Sequence, residues 1–257
     1  SPAARRSCST SNWSASADRR AACGGAPSVL PTLPFARMTR FIPPTPQRIE
    51  IAGPAGRIEA LVEVPASTTP VRAFGVVCHP HPLFGGSMTN KVVHTVARAW
   101  NELGVPTLRF NFCGVGASDG QYDDGRGELQ DALAVIEHGR SRWPDAALWL
   151  GGFSFGAFVA LRAAAITPAV ARGCVVTVAP PYGRWDFSGV VAPPCPWLIV
   201  QGDADELVDA TAVAGWAQQQ SPPPRFVLLP GAEHFFHGRL HDLRAALFEF
   251  ASAALEH

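Results

Sequence analysis

At 257 residues, 47% of them hydrophobic, the chain has the apolar surface for a sizeable core, and α/β folds of this length usually form one domain. Lys and Arg together number 21, as do Asp and Glu, so the net charge is zero, with neither the basic excess of a nucleic-acid binder nor an acidic tail. No apolar run nears the roughly 20 residues that span a bilayer, which leaves a small, largely neutral molecule as the expected partner.

Residues 1–40 are rich in Ser, Ala, Arg and Pro, with Asp18 as their single acid. They have neither a signal-peptide apolar core nor a clean amphipathic helix, and are read as a disordered extension ahead of a domain at 41–257. Met38, just before the first orderly segment, is a candidate start. Among six cysteines, Cys8 and Cys23 fall in this stretch. Cys78, Cys174 and Cys195 sit in or beside apolar runs, where free thiols act as small hydrophobes. Without metal-ligand or redox spacing they suggest a reducing, cytoplasmic setting.

Regular patterning begins near residue 47. Residues 48–51 and 57–64 alternate apolar and polar positions around Gly53-Pro54-Ala55-Gly56, which predicts an antiparallel hairpin. The rhythm then changes. Segments 73–78, 107–112, 147–150, 174–178, 197–200 and 226–229 are short and nearly all apolar, as are parallel strands covered on both faces. Helix-length stretches separate them, at 91–103, 128–136, 157–166, 210–216 and 240–254. Gly104 and Pro168 supply end signals for the first and third. The alternation predicts one α/β domain with a mostly parallel, twisted sheet, an antiparallel N-terminal hairpin and helices on both faces.

The run 147–150 leads into Gly151-Gly152-Phe153-Ser154-Phe155-Gly156, and a predicted helix follows at once. A strand, a tight turn and a helix are the context in which G-x-S-x-G presents a nucleophilic serine, here Ser154. The helix N-terminus offers unpaired N–H groups to developing negative charge, and the Phe155 N–H becomes one oxyanion donor. A serine hydroxyl needs a base, and the base an orienting carboxylate. Two later strand ends carry them: Gly202-Asp203-Ala204-Asp205-Glu206, then Glu233-His234-Phe235-Phe236-His237. Asp205 is preferred over Asp203, and His234 over His237 and His241.

In these segments, together with His79-Pro80-His81-Pro82-Leu83-Phe84-Gly85-Gly86 and Arg109-Phe110-Asn111-Phe112 with Gly114-Val115-Gly116, residues 47–257 resemble the α/β-hydrolase superfamily. Within it they are similar to small bacterial serine hydrolases related to dienelactone hydrolase. The resemblance implies an acid three residues after Gly202, hence Asp205, and a histidine opening an H-F-F stretch, hence His234. It also implies an arginine where Cys113 stands. By analogy with the H-G-x pattern of such hydrolases, the His81 N–H is the second oxyanion donor, with Leu83 the alternative, since Pro80 and Pro82 have no N–H. His79 and His81, without a third ligand, make a weak metal site, so neither metal nor cofactor is expected.

Caps in this superfamily are commonly inserted after the strand that follows the nucleophile helix. Here that interval, about residues 179–196, is too short for a cap domain, so an open pocket is expected, with Leu83, Tyr182, Trp185 and Phe187 as candidate walls. The expected activity is hydrolysis of a small, largely neutral carboxylic ester by a monomer or homodimer. Thioester, amide or lactone hydrolysis, and a non-catalytic binding module, stay open as alternatives.

Overall fold

The structure is a computed structural model that describes residues 41–66 and 70–256; the expected extension at 1–40 lies outside them. Strands β1 (Gln47–Gly53) and β2 (Gly56–Glu63) form the hairpin, with Gly53 opposite Gly56 across the turn. The chain continues through β3 (Ala73–Cys78), α1 (Lys91–Asn101), β4 (Thr107–Phe110), α2 (Arg126–Arg142), β5 (Ala147–Phe153) and α3 (Phe155–Ile166). It closes with β6 (Cys174–Val178), β7 (Trp197–Gly202), α4 (Ala210–Gln218), β8 (Arg225–Leu229) and α5 (Leu240–Glu256). No described helix is long and apolar enough to cross a membrane.

The eight strands lie in the order β1-β2-β4-β3-β5-β6-β7-β8. β2 is antiparallel to β1 and β4, and the other neighbours are parallel. From β3 the chain steps outward to β4, then returns past β3 to β5. Connections therefore diverge between β3 and β5, and a crevice opens there at the strand C-termini, the position where open α/β sheets hold ligands. The loops after Cys78 and Phe153 both start at this crevice.

Helices α1 and α5 cover one face of the sheet, and α2, α3 and α4 the other. β3, β5, β6 and β7 are buried almost throughout, as their apolar runs require. The α1 face is fitted around Trp100, whose indole lies over Gly75 and Gly151; a side chain at either would collide with the ring. In an interior packed at crystal-like density, such collisions are not relieved by small shifts.

β4 supplies a polar clamp inside this apolar frame. Arg109 donates from Nε to Glu63 Oε2 at 2.9 Å and from a terminal amine to the Met88 carbonyl at 2.8 Å. Two residues on, Asn111 Oδ1 accepts the Met88 N–H at 2.9 Å, while its amide donates to Glu59 at 2.8 Å. Met88 is thus held through both its backbone groups, which fixes the chain leading from the crevice into α1. Gly116 sits against the same Asn111 and Glu59 side chains with φ 59°, where a Cβ would be strained and would collide with both.

The elements follow the predicted order with shifted ends. β4 stops at Phe110, two residues short of the expected end, because the Phe112 N–H leaves the ladder to donate to the His79 ring at 3.0 Å. α2 is longer at both ends than residues 128–136. It starts at Arg126, where Glu128 accepts the Gly125 N–H at 2.8 Å, and continues through a polar last turn that carries little apolar periodicity.

The Arg109–Glu63 pair is almost fully enclosed, with side-chain exposures of 4% and 6%. Breaking a buried pair strands the remaining charge at a cost of about 3–5 kcal/mol. Arg109→Leu is therefore expected to lose about that much in urea denaturation, and Arg109→Leu/Glu63→Leu to recover most of it. A single variant as stable as the parent contradicts this account of the clamp.

Candidate active site

Between β5 and α3 the chain turns on Ser154 at φ 53° and ψ −123°. A non-glycine residue at positive φ is strained by contact of Cβ with its own backbone. The surroundings hold it there. A Cβ at Gly152 would strike the Gly156 carbonyl, and one at Gly156 would strike the carbonyls of Cys78 and His79, so strand and helix approach at glycine distance. The Ser154 N–H donates to the Val178 carbonyl at 2.9 Å, tying the turn to β6. The side chain consequently stands over the crevice at the end of α3.

Ser154 Oγ lies 3.1 Å from His234 Nε2, and His234 Nδ1 lies 2.8 Å from Asp205 Oδ2. An ionised carboxylate only accepts, so Nδ1 carries the proton toward Asp205, and Nε2 of the neutral ring is left to accept from the serine hydroxyl. The side chain of Asp205 is fully enclosed and that of His234 is 3% exposed. Burial works to raise the Asp205 pKa. The hydrogen bond from His234, with the Leu207 and Val208 N–H groups at 2.9 and 2.8 Å, outweighs it and holds the carboxyl below its ordinary value. Gln201, at the end of β7, adds its amide N–H at 2.8 Å. Glu206 accepts the His234 backbone N–H at 3.1 Å and steadies the loop.

The alternatives named from the sequence are engaged elsewhere. Asp203 accepts the Gly231 N–H and so pins the loop after β8. His237 lies out on the surface beside Glu233 at 3.6 Å, and His241 lines a separate hollow with Arg98 and Arg244. His79 and His81 have their ring lone pairs occupied. His79 Nε2 accepts from Phe112, and His81 Nδ1 accepts the Leu83 N–H at 3.2 Å. Among the described residues no group of three potential ligands is placed to hold a metal.

That bond also commits the Leu83 N–H, the alternative oxyanion donor. The His81 N–H makes no hydrogen bond to protein among the described residues, nor does the Phe155 N–H, which heads α3 where no intrahelical acceptor exists. His81 borders a cleft of about 130 Å³ walled by Pro80, Phe84, Trp185, Leu207, Val208 and Phe235, with Ser154 and His234 at its base, and Phe155 directly follows Ser154 in the chain. The cleft is lidless, since residues 179–196 form turns and an isolated Tyr182–Trp185 bridge.

Three proposed wall residues, Leu83, Tyr182 and Phe187, require correction. Leu83 lines a separate hollow beside Cys113 and Tyr122, because the turn at Pro82–Phe84 directs it away from Ser154. Tyr182 stacks on Trp216 at 5.4 Å and meets Phe187 edge-on, so the aromatic cluster against α4 claims both rings. Trp185 does line the cleft. Phe84, Arg184, Phe235 and Gln201 were missed; Gln201 carried a signal, as a polar residue closing an otherwise apolar strand.

His79 straps the crevice loop to the end of β4. Its Nδ1–H donates to the Pro80 carbonyl at 2.6 Å, so Nε2 is the acceptor for Phe112 and has no place for a proton. Burial, opposed by the Pro80 bond, brings its pKa down to about 3. A folded-state pKa below the unfolded one contributes stability above the unfolded value, about 6.5, and loses it as pH falls toward 3. The slope approaches 1.36 kcal/mol per pH unit in that window. His79→Gln is expected to be less stable than the parent at pH 7 and to show a shallower acid-side slope in urea denaturation between pH 6.5 and 4. Parallel slopes contradict the assignment.

A family model described as alpha/beta hydrolase domain matches residues 77–253. The chain is 34% identical over 212 residues to the uncharacterized protein RP471 of Rickettsia prowazekii, covering 79% of this chain and 87% of that protein. Among solved structures, XC6422 from Xanthomonas campestris, described as an a/b serine hydrolase without lid, is 45% identical with a TM-score of 0.76, covering 83% of this chain and 96% of that one. An α/β serine hydrolase homologue from Coxiella burnetii is 43% identical with a TM-score of 0.75, covering 79% and 96%. The sheet order, the strained serine turn and these likenesses agree, and the chain belongs to the α/β-hydrolase family.

Proposed function

We propose that the protein is a serine esterase that cleaves a small carboxylic ester through an acyl-enzyme on Ser154. One observation carries the reading: a Ser154–His234–Asp205 hydrogen-bond chain, 3.1 and 2.8 Å long, with its serine end in an open cleft. Ser154 Oγ attacks the ester carbonyl while His234 Nε2 takes its proton, and Asp205 holds the imidazole in the required tautomer and stabilises the imidazolium. The N–H groups of Phe155 and His81 receive the charge that develops on the carbonyl oxygen. His234 then returns the proton to the leaving alcohol, and water, deprotonated by the same ring, releases the acid and restores Ser154.

The small cleft and its apolar wall support a short acyl chain. The free thiols of Cys78, Cys113, Cys174 and Cys195 support a reducing compartment, the cytoplasm.

A fluorophosphonate probe is expected to label the wild type on Ser154 and to leave Ser154→Ala unlabelled. On p-nitrophenyl acetate, Ser154→Ala is expected to lose at least about 10⁴-fold in kcat/KM. Asp205→Asn is expected to lose about 10³–10⁴-fold, because an amide facing Nδ1 favours the wrong tautomer. A folded wild type that neither labels nor turns over esters would sink the proposal. Faster turnover of matched thioesters or amides would move the activity to that class.

A further inference from the structure

The cleft wall contains no Asp or Glu and a single permanently charged side chain, Arg184. It comes from the chain between β6 and β7, beside Trp185, and its Nε donates to the Leu207 carbonyl at 2.8 Å. Leu207 is itself a wall residue, so this bond fastens the arginine across the cleft mouth. The terminal amines make no hydrogen bond to protein among the described residues, and no described carboxylate lies within 4.0 Å of the guanidinium. Some surface arginines, such as Arg126 and Arg225, hold an acid, and others, such as Arg172, hold none among the described residues; Arg184 differs from both in lining the cleft that holds Ser154. The acids adjacent in sequence are occupied: Asp186 accepts the Ser188 N–H at 2.9 Å, and Glu206 accepts from His234.

A guanidinium with its stem fixed and its fork open presents paired donors at the spacing of a carboxylate. Beside an apolar wall its charge is less screened than on open surface. Ser154 sits in the same cleft at a helix N-terminus, so no fixed negative charge of the wall opposes an anionic group entering there.

We propose that Arg184 anchors a free carboxylate of the substrate, so that the enzyme prefers half-esters of short dicarboxylic acids to neutral esters of equal size. This rests on the esterase reading above and amends at one end the largely neutral substrate expected from the sequence. The anchored carboxylate is chemically unchanged. Only the ester bond is broken, by water, to an acid and an alcohol.

The test compares kcat/KM for ethyl hydrogen succinate with that for ethyl succinamate, whose amide replaces the carboxylate at nearly the same size. The wild type is expected to favour the half-ester by about ten-fold or more at low salt, and by less in 1 M NaCl, since the anchor is solvent-accessible. Arg184→Gln is expected to reduce that ratio at least about five-fold, Arg184→Lys to keep part of it, and Arg184→Glu to reverse it. Because the readout is a ratio, a general loss of folded enzyme does not move it. A wild-type ratio at or below one, or the same ratio in Arg184→Gln, overturns the proposal. If p-nitrophenyl acetate is turned over while the two succinyl esters are not distinguished, the anchor falls and the esterase reading stands. An unlabelled, inactive Ser154 takes both down.

Discussion

The approach of β5 to α3 across Gly152 and Gly156 is the constraint on which the rest of this molecule turns. Two side chains are missing there, so the helix starts one residue after Ser154, and the serine is forced to positive φ. Such a conformation costs of order 1–3 kcal/mol and persists where its surroundings over-determine it. Here they do. The Val178 carbonyl holds the serine N–H, and the carbonyls of Cys78 and His79 leave no room beside Gly156. Strain at Ser154 is thereby supported by three central strands, and the hydroxyl is pre-positioned without any loop having to close.

The groups that meet Ser154 arrive by separate routes, each with its own support. Asp205 is enclosed yet ionised because four donors converge on it: His234, Gln201 and the N–H groups of Leu207 and Val208. A carboxylate buried without them would protonate and release the imidazole. Across the crevice, the loop after β3 is fixed at one end by the His79 strap and at the other by the Arg109–Asn111 clamp on Met88. His81 lies between these anchors, with its ring tilted against Phe84, Tyr122, Phe155 and Trp185. Rigid neighbours on both sides are what a pre-formed cleft requires.

Much of this was legible in the sequence, because the relevant signals are local. Apolar runs mark buried strands, and glycines two residues either side of Ser154 mark the turn. Asp205 and His234 each follow a strand end within a few residues. Other features depend on tertiary neighbours. The end of β4 is decided by a histidine from the loop after β3, and the aromatic residues of 179–196 divide between cleft and core according to whether α4 faces them. Trp185 and Tyr182 are alike in sequence terms, yet Trp216 is close enough to stack on only the second. The missing arginine at Cys113 was visible as a departure, and its consequence was not. Glu128 and Asp131 are buried beside the thiol, and burial raises the pKa of Asp131.

The central claim, that Ser154 is a nucleophile activated through His234, is tested most directly by rapid mixing of the intact protein with p-nitrophenyl acetate, followed by acid quench and peptide mass analysis. The account requires a burst of p-nitrophenolate approaching one equivalent per chain, an acetyl group on the peptide that contains Ser154, and neither in His234→Ala. Turnover with no acetylated peptide, or acetylation of the same extent in His234→Ala, would contradict it.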